Sequence, residues 1–256
     1  MTPADAAIGV AIGLGSGILA GLFGVGGGIV MTPGVQVLLG APPIVALATP
    51  LPVIFPTALA GASAYARRGE VDTRVAAWLA GPGLLGAALG AWATRWVETS
   101  LLLLLTAGLL AWQAVRLVAR DGAREQRAAL RPSAVALGLG GVAAGFVSGL
   151  LGIGGGLVIV PFLAGWLGMP LKRVLGTSLL AIVALVVPGT VVHAALGHVD
   201  LAIVVALAIG AIPGARIGAG IALGARDRTL RLAVGTFLFV VAVGYAALQA
   251  AELLGP

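Results

Sequence analysis

The chain has 256 residues, of which 60% are hydrophobic and only 9% charged. A water-soluble domain needs about 25% charged residues to cover its surface, so a soluble globule is excluded. The 15 Lys and Arg against 9 Asp and Glu give a net charge of +6. These cations fall between apolar runs, which marks membrane topology and excludes a nucleic-acid-binding face.

No Lys or Arg precedes Arg67, so the first apolar segment lacks the charged start of a signal peptide and is expected in the mature fold. That segment, Ala6–Phe23, carries Gly9, Gly13, Gly17 and Gly21, the spacing of close helix packing. It runs into Gly24-Val25-Gly26-Gly27-Gly28, and a short apolar stretch, Ile29–Leu39, follows. About 11 residues of helix cover roughly 16 Å, half a bilayer. Three runs of spanning length come next: Ile44–Ala66, Val75–Ala93 and Leu101–Val118. The stretch Arg116–Arg131 is the one markedly hydrophilic segment. The order then recurs: a glycine-striped Ala134–Leu151, a second GxGGG at Gly152–Gly156, a short Leu157–Leu167, and the runs Val174–Leu196, Leu201–Leu223 and Leu232–Ala251.

The recurrence is a duplication. GLFGVGGGIVMTP from Gly21 matches GLLGIGGGLVIVP from Gly149, an offset of 128 positions. The offset carries Thr49 onto Thr177, Gly61 onto Gly189, and Gly69-Glu70-Val71-Asp72 onto Gly197-His198-Val199-Asp200. Beyond that the match fades, and pairing Pro82-Gly83 with Pro213-Gly214 takes a small insertion. The expected fold is an all-α integral membrane protein of two homologous repeats, residues 1–120 and 133–256, joined by a cytoplasmic linker at 121–132. Each repeat is a broken or re-entrant helix hairpin followed by three transmembrane helices. Charge makes the repeats inverted: with the linker inside, Arg67, Arg68, Arg74, Lys172, Arg173, Arg226, Arg228 and Arg231 all fall inside. Both termini and the turns at Gly40–Pro43 and His198–Asp200 fall outside, and Arg95 alone is misplaced.

Irregular backbone at membrane depth is tolerated where it is buried in protein or lines a wet cavity. The helix starts after the GxGGG runs would aim free N–H groups at the bilayer middle, facing each other across a pseudo-twofold axis. Gly26, Gly27, Gly28, Gly154, Gly155 and Gly156 are therefore expected to form a ready-made anion site; glycines serving helix packing alone are the bland alternative. Thr49, Thr177 and Ser178 would donate to a substrate oxygen or bond their own helix. His193, equivalent to Tyr65, is a candidate anion donor or carrier of a coupling proton. Arg216 is a candidate oxyanion ligand, against snorkelling to the interface.

No catalytic residue is expected. Gly24-Val25-Gly26 follows no strand and has no acidic residue about 20 positions on, and no Walker lysine follows either glycine run. A hydrolase built on Ser148 and His193 lacks an evident oxyanion loop, and Ala20 occupies the equivalent of Ser148. With no cysteine in the chain, thiolate chemistry is excluded, and neither metal nor cofactor is expected.

The paired GLFGVGGGIVMTP and GLLGIGGGLVIVP motifs, each followed by LG-x-P, with VLGTSL, PGTVVHAALGHVD, ALATPL and AGASAYARRGEVD downstream, resemble the TauE/SafE sulfite exporter family over nearly the whole chain. The resemblance implies a bacterial inner-membrane carrier of sulfite, sulfonates or related small anions. It departs where Thr49-Pro50 replaces the usual Thr-Ser, and where Pro52 and Pro56 add helix breaks, so the second half would dominate a hydroxyl site. The expected function is secondary transport by alternating access, with a passive anion channel as the alternative. Expected partners are the anion and membrane lipid; a coupling proton or ion and self-association are left open, and nucleic acid is not a partner.

Overall fold

The structure, a computed structural model, describes residues 2–97, 133–165 and 167–226, with Gly108 and parts of 228–244. The linker at 121–132 and the runs Leu101–Val118 and Leu232–Ala251 lie wholly or largely outside the described residues. The described residues form helices α1 (Pro3–Phe23), α2 (Gly28–Leu38), α3 (Pro43–Ala48), α4 (Pro50–Ala66) and α5 (Thr73–Ala93) in the first half. The second half supplies α6 (Ala134–Leu151), α7 (Gly156–Gly165), α8 (Leu171–Ala195) and α9 (Leu201–Gly224). Among the described residues, six helical segments are long and apolar enough to cross a membrane: α1, the α3–α4 pair taken together, α5, α6, α8 and α9.

Local chemistry sets the boundaries. Thr2 and Asp5 form a capping box at the start of α1, with Pro3 in the first turn. Ser133, Asp72 and Asp200 cap α6, α5 and α9 by accepting from backbone N–H groups. Gly24 and Gly152 end α1 and α6 in the left-handed conformation. The proline breaks are milder than expected. α4 runs on through Pro52 and Pro56, and the interruption sits at Thr49, whose dihedrals remain helical. The missing N–H of Pro50 costs a bond without turning the chain.

The two halves interlock. α1 packs most extensively on α9, and α5 on α6, so each half lends its first helix to the other. The contact is backbone on backbone: Gly13, Gly17 and Gly21 abut Leu207, Ala211 and Ala215, while Gly141, Gly145 and Gly149 abut Leu79, Gly83 and Ala87. In the reverse sense Gly214 and Gly218 meet Leu14 and Ile18, and Gly86 and Gly90 meet Val142 and Phe146. Every one of these pairs maps onto its counterpart by the same shift of 128 positions. The ungapped register therefore continues to Gly90 and Gly218, and the insertion proposed between Pro82 and Pro213 is wrong. It arose because prolines were matched, whereas the interface conserves small residues.

α4 and α8 cross at the centre and run antiparallel, Gly61 lying against Leu179 and Gly189 against Leu51. Two hydrogen bonds fasten the ends: Asp72 N–H to Thr177 Oγ1 (2.9 Å) and Asp200 N–H to Thr49 Oγ1 (3.2 Å). Lys172 Nζ donates to the Leu223 carbonyl at 2.9 Å, bringing the start of α8 to the end of α9. The basic positions around 67–74, 172–173 and 226 thus gather at one end of the bundle. The opposite end holds an open cavity of about 650 Å³, walled by residues such as Leu39, Pro42, Val45, Asp200 and Ile203. Leu85, Val135, Leu139 and Leu201 are largely exposed on the flanks, a surface suited to lipid rather than water.

Candidate functional site

Both glycine runs lie in the middle of the bundle and are buried. Gly26 and Gly27 have φ of 83° and 87°, and Gly154 and Gly155 have φ of 83° and 76°. An L side chain is strained in that region, so the consecutive glycines are required by the reversal from α1 into α2 and from α6 into α7. No side chain caps α2. Within the described residues, the N–H groups of Gly26, Gly27, Gly28, Gly154, Gly155 and Gly156 donate no hydrogen bond. Unpaired amides at buried depth are rare and ask for a partner.

The loops touch. A Cβ at Gly28 would lie 2.8 Å from the Gly152 carbonyl oxygen, and one at Gly156 2.6 Å from Val25 Cα. Ile54 and Ile182, equivalent positions on α4 and α8 and both fully buried, close over the pair. Their Cγ2 methyls lie 3.1 and 3.4 Å from where a Gly26 Cβ would stand, and 3.4 and 3.3 Å from that of Gly154. The six glycines come together at the bundle centre, and there backbone rests on backbone under two isoleucines. The glycines serve both conformation and packing.

The expected hydroxyl ligands have other duties. Thr49 and Thr177 accept from the capping aspartates' N–H groups across the repeat boundary, so each is a tie between halves. Neither bonds a carbonyl of its own helix. Ser178 donates to the Gly24 carbonyl at 2.8 Å and anchors the first glycine loop from the second repeat. Its counterpart is Pro50, which has no donor to offer the Gly152 carbonyl. Arg216 does not join the site. It is exposed on the outer face of α9, beside exposed Ile217, while Gly214, Ala215, Gly218 and Ala219 form the face packed inward. The small-residue stripe that seats α9 on α1 forces the guanidinium outward, which is the snorkelling arrangement.

Tyr65 and His193 occupy equivalent places but differ in bonding. Tyr65 donates its hydroxyl to the Gly21 carbonyl at 2.9 Å, one turn before the first glycine run. His193, fully buried, has its Nδ1 3.3 Å from Nδ1 of His198. Its Nε2 finds no partner among the described residues, although the Gly149 carbonyl stands beside the ring. Ser148 Oγ is likewise buried and unpartnered, and its Cβ lies 3.3 Å from where a Gly155 Cβ would be. Ser148 and His193 are thus not hydrogen-bonded to each other, so the nucleophile–base pair of a hydrolase is not assembled. No group of three or more His, Cys, Asp or Glu among the described residues is arranged to hold a metal ion. Sequence reasoning missed Ile54 and Ile182, whose only signal was their shared position under the offset. It also missed His198, which stands where the first repeat has Glu70.

A family described as Sulfite exporter TauE/SafE matches residues 9–245. The chain belongs to the TauE/SafE sulfite exporter family. Its relatives include a probable membrane transporter protein of Xylella fastidiosa (strain Temecula1), 34% identical over 248 residues, covering 91% of this chain and 93% of that one. Another, the probable membrane transporter protein YdhB of Bacillus subtilis (strain 168), is 31% identical over 210 residues, 79% of this chain and 84% of its own. No solved structure matches. Membership of this TauE/SafE family, with six apolar helices of spanning length among the described residues, makes the chain a multi-pass membrane protein of a transporter family.

Proposed function

We propose that the protein is a secondary transporter of small sulfur-containing oxyanions or organosulfonates, working by alternating access across a bacterial inner membrane. The single observation that carries this reading is the meeting of two equivalent glycine loops at the bundle centre, their amides undonated and the Ser148 hydroxyl free beside them. Amide N–H groups at paired helix starts are complementary to a tetrahedral or pyramidal oxyanion and need no buried countercharge. The sulfur chemistry comes from the family description, which names a sulfite exporter. Parting of Ile54 from Ile182 would expose the amides, and the interlocked pairs α1–α9 and α5–α6 are the bodies that would rock. Inverted repeats, with the basic end cytoplasmic and both termini outside, agree with the antiparallel α4–α8 crossing and with the gathering of cations at one end.

A thermal-shift screen of the purified protein tests the substrate class. Sulfite, thiosulfate and sulfonates are expected to raise the melting temperature, and small carboxylates to leave it unchanged. Stabilisation by carboxylates alone would overturn the sulfur assignment, and none by any anion would overturn the site.

A further inference from the structure

One backbone plan serves both ends of the bundle, yet equivalent places at the two ends carry different residues. At the basic end, α8 starts against the turn that joins α4 to α5. A Cβ at Gly176 would strike the Glu70 carbonyl oxygen and lie 2.7 Å from Tyr65 Cβ. Backbone therefore meets backbone there, an approach that glycine alone permits. The counterpart of Gly176 under the offset of 128 is Ala48, the last residue of α3 and fully buried. Its methyl needs an ordinary van der Waals distance from the turn at 193–198, where Gly176 needs none. The opposite end must stand wider.

The rest of the molecule agrees. Asp200 N–H reaches Thr49 Oγ1 at 3.2 Å, whereas the matching bond at the basic end, Asp72 N–H to Thr177 Oγ1, is 2.9 Å. The open cavity of about 650 Å³ lies between the start of α3 and the turn into α9, with Leu39 and Ala41 on its wall. Their counterparts at the basic end, Leu167 and Met169, pack on the central core, and Leu167 is 8% exposed. Lys172 adds a bond across the basic end. Its Nζ donates at 2.9 Å to the Leu223 carbonyl in the last turn of α9, where the helix dipole favours a cation. Ile44 stands at the equivalent of Lys172, and its side chain has no donor.

We propose that Gly176 and Lys172 form a gate at the basic end, and that the structure is the state in which this gate is shut and the opposite vestibule open. The glycine lets the basic end close fully, and the Ala48 methyl props the other end, which biases the resting population toward this state. Passage of an anion then requires Lys172 to leave Leu223 and the start of α8 to part from Glu70. This rests on the alternating-access reading, but its test needs no anion. The chain has no cysteine, so Leu39→Cys and Leu167→Cys, introduced singly, report on the two ends without background. Each is purified in nanodiscs, where both faces are reachable, and its thiol is labelled with 2-hydroxyethyl methanethiosulfonate. That reagent is uncharged, so the cations at one end do not attract it.

The thiol at 167 is expected to react at least about tenfold more slowly than that at 39, since it is labelled only when the gate opens. Gly176→Ala, which wedges the gate, should speed labelling at 167 about tenfold. Lys172→Met removes one charge-assisted hydrogen bond without a wedge and should act in the same direction by a similar factor. Ala48→Gly lets the opposite end close and should slow labelling at 39. Equal rates at 39 and 167 in the otherwise unmodified chain would overturn the proposal, as would a rate at 167 that neither Gly176→Ala nor Lys172→Met raises. Should Gly176→Ala not fold, Lys172→Met and Ala48→Gly decide. Failure of this gate leaves anion-dependent melting as the test of the central site, and failure of anions to bind leaves the labelling rates informative.

Discussion

The two halves share one backbone and diverge in their polar side chains. Between them the glycine conformations, the small-residue interfaces and the Thr–Asp ties are reproduced position for position. What differs is the support of each glycine loop. The first is held twice, by Tyr65 on Gly21 and by Ser178 on Gly24. The second has His193 and Pro50 in those places and neither bond. Symmetry is kept where it builds the scaffold and dropped in the side chains that support the two loops.

That comparison breaks most visibly at the loop contact. Gly28→Ala and Gly156→Ala each drive a methyl into the opposite backbone and should cost about 3 kcal/mol, read as lost yield and melting temperature. Gly220→Ala, with nothing within 4 Å, is the control. If both loop variants behave like the control, the loops do not touch. Next in size is the aromatic pair. Tyr65→Phe strands the Gly21 carbonyl at about 2 kcal/mol, whereas His193→Phe at neutral pH removes an unmatched nitrogen and should be nearly neutral. Equal losses in denaturation would erase the asymmetry. Ser178→Ala should cost about 1 kcal/mol, and Pro50→Ser should recover a fraction of that by supplying the missing donor to Gly152. Arg216→Gln is the smallest, within about 0.5 kcal/mol and with unchanged anion uptake, as expected of an exposed flank residue.

Much of this was legible in the sequence. The offset of 128 located the repeats, and the short stretches after GxGGG fell within one or two residues of α2 and α7. Glycines cannot be mistaken for anything else, so their backbone consequences carry over directly. The side-chain roles were less legible. Neither substrate contact nor a bond to the own helix anticipates the ties made by Thr49 and Thr177, because their partners Asp200 and Asp72 lie in the other repeat, more than a hundred positions away. Arg216 looked deep by position in its helix, but which way it points depends on which face α1 occupies, and that is a tertiary fact. Ile54 and Ile182 were invisible for a simpler reason: an isoleucine in an apolar run announces nothing.

The central claim is that the two glycine loops must part beneath Ile54 and Ile182 for an anion to pass. A chain without cysteine lets that be tested without background. With Ile54→Cys and Ile182→Cys joined through disulfides by a short bis-methanethiosulfonate, uptake of radiolabelled sulfite into proteoliposomes should stop, and a reducing agent, by cleaving those disulfides, should restore it. Undiminished uptake with the link in place would contradict the account.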